Sequence, residues 1–207
     1  REQAERLELV LKATNEGHWD WNLVTGEVYF SPRWKAMLGY ADHEIPNRVD
    51  EWRGRIHPDD QPLVEEALER YIHGVDETYQ VEHRLRHRNG AWRWIIARGT
   101  GLRDASGRVH RMVGSHQDVT GRRRAEDEVR RRDAILEAVR YMAERFLSDD
   151  ASWPGGALDV LQRLGEATNV SRVYVFENST GPDGDLFATN MAQWSAPGVP
   201  VSNPELQ

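Results

Sequence analysis

The sequence predicts an α+β fold: a five-stranded antiparallel sheet with helices on one face, then a long helix and an incomplete mixed segment. Three observations carry this. Stretches between residues 17 and 120 alternate apolar and polar side chains with a period of two. Helical stretches, marked by proline and glycine, fall between the second and third of these. Beyond Gly121 the apolar spacing changes to alternating steps of four and three. The 207 residues leave room for one full domain and part of another.

Taken in order, residues 1–16 open with Ala4, Leu7, Leu9, Val10, Leu11 and Ala13 spread among charges at helical spacing, ended by Asn15-Glu16-Gly17. This is an amphipathic helix whose apolar stripe needs a partner. From His18 the alternation of Trp19, Trp21 and Leu23 with polar residues, the turn Thr25-Gly26-Glu27 and then Val28-Tyr29-Phe30 read as a hairpin. Ser31-Pro32 supplies a cap and an N1 proline for a short helix, Arg33 to Leu38, closed by Gly39. A polar loop with a short turn around Val49 to Ile56 follows. His57-Pro58-Asp59-Asp60 then opens a longer helix to about His73, with Leu63, Val64, Ala67, Leu68 and Tyr71 as its buried stripe. Its two acidic residues suit the positive end of the helix dipole and the cap, which lies between His57 and Asp60. Three longer alternating segments, Glu77 to His87, Ala91 to Arg103 and Arg108 to Val119, are joined by Asn89-Gly90 and Ala105-Ser106-Gly107. Asn-Gly between two such runs is a strong hairpin signal, so the three form a meander with one wet face.

Hairpin, short helices, longer helix and three-stranded meander, in that order, resemble the PAS fold. The residues that carry the resemblance are Gly17-His18-Trp19-Asp20-Trp21, Tyr29-Phe30-Ser31-Pro32-Arg33-Trp34, Leu38-Gly39-Tyr40, His57-Pro58-Asp59-Asp60, Arg88-Asn89-Gly90-Ala91-Trp92-Arg93-Trp94, Arg98-Gly99, Val113-Gly114 and Asp118-Val119-Thr120. They span residues 17–120 and look like a tryptophan-rich subclass found in bacterial multidomain signalling proteins.

Residues 121–147 place Ala125, Val129, Arg132, Leu136, Val139, Ala143 and Phe146 on one seam over about three heptads. A parallel homodimer through this helix, helped by the N-terminal helix, is the expectation; a single amphipathic helix packed on its own domain is the alternative. Arg122, Arg123 and Arg124 stand in its first turn, where the dipole disfavours each cation by about 0.3 to 1 kcal/mol at exposed sites. Asp118 is placed to offset this by pairing with a first-turn arginine, and Thr120 to cap the helix with its hydroxyl. In the family this sequence resembles, such an Asp-hydrophobic-Thr end couples sheet to exit helix, which makes Asp118, Thr120, Arg122 and Arg123 the candidate coupling residues. The competing reading is a set of solvated surface charges worth little.

Residues 148–207 read as a loop from Ser148 to Gly156, a helix from Ala157 to Thr168, a strand from Ser171 to Glu177, a turn at Gly181-Pro182-Asp183-Gly184 and a second strand from Leu186 to Trp194. Asp133-Ala134-Ile135-Leu136-Glu137-Ala138-Val139 together with Leu164-Gly165-Glu166-Ala167-Thr168-Asn169-Val170-Ser171-Arg172-Val173-Tyr174 look like the start of a GAF domain. Some 60 residues are too few to complete one, so the expectation is a fragment of a longer protein. In architectures similar to this one the downstream output is a histidine kinase or a cyclic-dinucleotide synthase or hydrolase.

Composition excludes several chemistries. The chain has no cysteine, which removes disulfides, thiolate metal sites, a cysteine nucleophile and a flavin–cysteine adduct. With 27 basic residues against 34 acidic, the net charge of −7 argues against a nucleic-acid partner engaging the whole surface. No apolar run is long enough to span a membrane or to serve as an export signal, so a cytoplasmic location is the expectation. Phosphate-binding loops, serine elbows and paired metal histidines are missing, and Asp59-Asp60 is better explained by capping than by acid–base roles, so no catalytic residue, metal site or cofactor is expected. Along a strand His83 and His87 lie about 13 Å apart at ~3.3 Å per residue, too far to share a metal. His73 is the haem candidate because haem-binding members of the family take an axial histidine from that helix; the adjacent Gly74 and the local sequence argue against it.

The candidate core and ligand-pocket residues are Trp19, Trp21, Phe30, Trp34, Leu38, Leu68, Tyr71, Trp92 and Trp94. They either line a cavity for a small molecule or fill the core with aromatic area. Trp19 and Trp21 share one face of their strand, as do Trp92 and Trp94, so each pair points wholly inward or wholly outward. Two function classes follow. One is a ligand- or partner-responsive sensor acting through a dimeric exit helix on a downstream output domain; the other is a constitutive dimerisation and spacer module.

Overall fold

The computed structural model describes residues 2–147 and 156–200. They fall into two units, Arg1–Arg124 and Ala125–Gln207. The first unit holds helix α1 (Glu2–Thr14), strands β1 (Gly17–Asn22) and β2 (Val28–Phe30), helices α2 (Pro32–Met37), α3 (Val49–Arg53) and α4 (Gln61–Ile72), and strands β3 (Tyr79–Arg86), β4 (Trp92–Arg103) and β5 (Val109–Asp118). All five strands form one antiparallel sheet in the order β2-β1-β5-β4-β3. This is the predicted PAS-type sheet. The first hairpin joins the meander by pairing β1 with β5, setting Trp19 opposite Gly114 and Asp20 opposite Val113.

In β3 period-two alternation separates a dry face from a wet one, and register extends the dry face to the neighbouring strands. In β3 Tyr79, Val81, His83 and Leu85 are buried, and register carries the same face through Ile95 and Ala97 of β4 to His116 of β5. Helices α2 to α4 cover it, adding Trp34, Leu38, Ile45, Trp52, Val64, Leu68 and Tyr71 to one core. Ser31 caps α2: its Oγ accepts from the Trp34 N–H at 3.2 Å and also from the His18 N–H at 2.9 Å, tying helix to strand. Gly39, at φ +84, closes α2 in the left-handed region, and a side chain there would run into the His87 ring 2.5 Å away.

Two expectations for α4 are corrected. His57 opens a 3₁₀ turn, Pro58–Asp60, its Nδ1 accepting from the Asp59 N–H at 3.2 Å. Asp60 makes no side-chain cap, because its carboxylate is taken by Arg84 of β3 through Nε at 2.9 Å, Nη2 at 2.6 Å and the backbone N–H at 2.8 Å. A bidentate charged pair outcompetes a local cap. Leu63, expected in the buried stripe, is 53% exposed, since the stripe that faces the sheet is Val64, Leu68 and Tyr71. In α1, Leu9 and Leu11 are exposed, and the side chains of Ala4, Leu7 and Val10 lie outside the described residues.

Helix α5 (Thr120–Leu147) follows β5 after a single residue. In the second unit α6 (Ala157–Thr168) ends at Asn169 in the left-handed conformation, and β6 (Arg172–Thr180) pairs antiparallel with β7 (Leu186–Ser195). Gly165 of α6 makes room for the Trp194 ring. The loop expected at Ser148 to Gly156 falls almost wholly outside the described residues.

Candidate functional site

Between the sheet and its helices lies a small cavity, about 30 Å³, lined by Trp19, Trp21, Phe30, Trp52, Tyr79 and His116 among others. A space of this size holds on the order of one or two waters, whereas pockets for drug-sized ligands run to about 300 Å³ or more. The aromatic rings therefore mostly fill the core. Phe30 stacks on Trp34 with ring centroids 4.1 Å apart, and Trp19 meets Tyr79 edge-on at 6.4 Å. Gly114 and Gly99 exist to seat Trp19: a Cβ at either would come within 2.7 Å of its ring.

The cavity is apolar but not without polar demand. The indole N–H groups of Trp19, Trp21 and Trp52 are buried and find no acceptor among the described residues. Each unmet donor costs about 1 to 3 kcal/mol. Trp34 is different, its Nε1–H donating to His116 Nδ1 at 2.8 Å. That bond assigns Nδ1 as acceptor and leaves the proton of the neutral ring on Nε2.

Sequence reasoning weighed His83 as a metal partner of His87 and did not place it beside His116 in the core. His83 and His116 face one another on the inner surface of the sheet, ring centroids 5.6 Å apart. Burial pushes His83 down to about 4, and burial together with its neighbour pushes His116 well below the usual imidazole range. Both nitrogens of His83 lack a partner among the described residues. The period-two pattern of Tyr79, Val81, His83 and Leu85 was the available signal.

Of the proposed core and pocket residues, Trp19, Phe30, Trp34, Leu38, Leu68 and Tyr71 are buried in the core and Trp21 is packed against it. Trp92 and Trp94 are not in it, which corrects the expectation. Register sets Trp94 opposite Arg84 and Trp92 opposite Arg86, on the outer face of the sheet. Trp92 packs on His57 at 4.4 Å. The Trp94 ring has the guanidinium groups of Arg84 and Arg123 over it, at 5.2 and 4.1 Å.

Trp94 is also where the exit helix is fastened. Its backbone N–H donates to Thr120 Oγ1 at 2.8 Å and its carbonyl accepts from the Val119 N–H at 2.9 Å. Thr120 thus spends its hydroxyl on the sheet instead of capping its own helix. Asp118 supplies the local acceptor, Oδ1 taking the Thr120 N–H at 2.8 Å, while its other oxygen lies 3.9 Å from Arg93. A first-turn arginine that reaches the sheet, Arg123, pairs with Glu82 at 2.5 Å. Arg122 is exposed on α5.

Farther along α5, Val129, Leu136 and Val139 are 56, 65 and 43% exposed, and Ala143 is exposed. The side chain of Phe146 lies outside the described residues. The adjacent face packs within the second unit: Ala138 is buried, Arg163 stacks on Tyr141 at 4.2 Å and Arg131 donates to the Thr168 carbonyl at 2.7 Å. His73 is exposed at the end of α4, with Nδ1 at 2.8 Å from the Glu69 carbonyl, away from the cavity lining. Among the described residues no three histidine or acidic side chains are grouped to hold a metal, and no helix is long and apolar enough to cross a membrane.

Comparison with known proteins gives this geometry a context. A profile described as PAS fold matches residues 27–116. The sensor protein FixL of Bradyrhizobium diazoefficiens is 26% identical over 137 residues, 66% of this chain and 27% of that protein. The methanogenesis regulatory histidine kinase FilI of Methanothrix harundinacea is 32% identical over 117 residues, 51% of this chain and 12% of that protein. The chain therefore spans only a small part of these relatives' length. A solved structure of a sensory box histidine kinase/response regulator from Burkholderia thailandensis is 41% identical, with a TM-score of 0.53, covering 68% of this chain and 98% of that one.

Proposed function

Because the chain belongs to the PAS fold family, its PAS domain matched over residues 27–116, we propose that it passes a ligand- or partner-induced change in the sheet through α5 to a downstream output domain. One observation carries this: both backbone groups of Trp94 are bonded at the start of the exit helix, to the linking residue Val119 and to Thr120, the first residue of α5. A shift of β4 then moves the helix start with it, because breaking two part-buried hydrogen bonds costs more than a small rotation of the rod. Asp118, Thr120 and Arg123 hold that joint, and the exposed Val129, Leu136, Val139 stripe supports self-association through α5. A histidine kinase is the output its relatives' names favour, and a cyclic-dinucleotide enzyme is the alternative. The α6 to β7 segment is read as the opening of a GAF-type sensor.

A ligand for the cavity would be small and carry hydrogen-bond acceptors, to meet the indole donors of Trp19, Trp21 and Trp52. The cavity's size equally favours a second reading, a ligand-free dimerisation and spacer module with a filled core. Native mass spectrometry of freshly purified protein separates them: bound mass supports sensing, and a ligand-free dimer supports the spacer.

The absence of cysteine makes the coupling directly measurable. A single cysteine placed at Arg130 and spin-labelled reports the distance between two α5 helices in a dimer. A changed distance distribution in Thr120→Val supports coupling through the joint. An identical distribution, or a monomer at all concentrations, removes this reading.

A further inference from the structure

At the edge of β3, Ile56 forms an antiparallel bridge with Leu85. The Arg86 N–H donates to the Arg55 carbonyl at 2.8 Å, so the bridge sets Arg55 and Arg86 directly opposite each other. Like charges opposed across an antiparallel pair destabilise it. Arg48 and Arg88 join them around one open groove of about 590 Å³, whose acidic residues are Asp50 and Glu51. Four arginines stand against three carboxylates, Asp50, Glu51 and the Glu44 that pairs with Arg88, so the groove stays locally positive on a chain whose net charge is −7.

The groove is partly pre-built. Arg55, with a side chain 19% exposed, is held by Glu51 at 2.5 Å and lies over the Tyr40 ring at 5.2 Å. Arg88 lies over the same ring at 5.7 Å and pairs with Glu44 at 2.9 Å. Arg48 makes only a long contact to Asp50, 3.6 Å between two largely exposed side chains. Arg86 has no carboxylate partner among the described residues. Two guanidinium groups are thus fixed and two are left to engage something else.

We propose that this groove binds a small molecule bearing a phosphoryl group, whose oxygens bridge Arg86 and Arg48 against the fixed Arg55. Its volume lies within the range of about 300 to 1,000 Å³ typical of small-molecule sites. A concave groove suits such a ligand better than it suits a membrane surface or a nucleic-acid backbone. Guanidinium groups match phosphoryl oxygens in bidentate geometry, and a doubly charged anion relieves the Arg55–Arg86 repulsion that the bridge imposes.

The test is calorimetric titration of the whole 207-residue chain with sodium pyrophosphate at constant ionic strength. The Arg48→Gln/Arg86→Gln double variant and Arg98→Gln are titrated alongside; Arg98 is on the outer sheet face, bonded to Gln80 and Gln117. The expected result is saturable binding that weakens about tenfold or more in the double variant and is unchanged in Arg98→Gln. No saturation at about 1 mM, or equal affinity in all three proteins, overturns the proposal. Citrate binding more tightly than pyrophosphate overturns the phosphoryl assignment, and capture by anionic vesicles without pyrophosphate binding overturns the small-molecule one. Arg48 and Arg86 are exposed and outside the core, so matching thermal melts confirm that the variants fold.

Discussion

Thr120 Oγ1 accepts the backbone N–H of Trp94 at 2.8 Å, so the side chain of a helix's first residue completes the hydrogen bonding of a strand. The Thr120 side is 3% exposed. Such a bond joins two elements more firmly than a surface ion pair does, because water competes poorly for a buried donor.

Thr120→Val keeps the shape and removes the acceptor. It leaves the Trp94 N–H unmet and is expected to cost about 1 to 3 kcal/mol in urea denaturation. The amide of Trp94 should exchange with solvent faster than in the parent while amides of β1 keep their protection. Equal exchange at Trp94 would show that the bond holds nothing.

Trp94→Ala and Trp34→Ala should behave as opposites. Trp34 is fully buried and donates to His116, so its loss is expected to cost about 3 to 5 kcal/mol and the protein should melt far earlier. Trp94 sits outside the core under two guanidinium groups. Its loss should leave the melting curve close to the parent's while the first turn of α5 exchanges its amides faster. Comparable melting losses for both variants would return Trp94 to the core.

Asp60→Ala removes the carboxylate that holds the guanidinium and the backbone N–H of Arg84. About 1.5 to 3 kcal/mol of stability should go with it, as for hydrogen bonds to charged groups. The hydrogen bond from Arg84 holds the Asp60 carboxyl below its ordinary 3.8. The stabilisation is therefore present above pH 3.8 and lost as pH falls through the lower folded-state value. A pH titration of stability in which Asp60→Ala and the parent stay parallel below pH 4 would contradict this.

Acid should destabilise the domain earlier than its carboxylates alone require. His83 is buried neutral and titrates near 4 when folded, against an ordinary 6.5. Between those values the unfolded chain binds more protons, so stability rises with pH across the window and is complete above about 6.5. Falling pH removes it at roughly 1.4 kcal/mol per unit for this one group, and His116 acts in the same direction. His83→Leu should flatten the slope between pH 6.5 and 4 and also relieve two unmet ring nitrogens. An unchanged slope would mean that His83 is solvated in the folded state.

Local chemistry was enough to write down the element order of the first unit. Ser31-Pro32 before α2, Gly39 and Gly74 after α2 and α4, and Asn89-Gly90 in the β3–β4 turn act on their immediate neighbours through caps and left-handed backbone, so each can be read without knowing the fold. Period-two alternation likewise showed that Trp92 and Trp94 share a face and that Trp19 and Trp21 share one.

Which face, and which charge meets which, depended on packing between distant segments. Alternation cannot say whether the Trp92/Trp94 face is the dry one; register with β3 does, by setting Trp94 opposite Arg84 and placing His83 inside. A first-turn arginine found Glu82, 41 residues away along the chain, and Asp60 found Arg84, 24 residues away, because the sheet brings those groups within hydrogen-bond reach. Helical and strand periods are properties of a few consecutive residues, whereas ion-pair choice and cavity size are set by where separate elements come to rest. That is why the PAS fold could be read from residue order, while the Trp94 joint, the buried histidine pair and the arginine groove emerged only once the chain was folded.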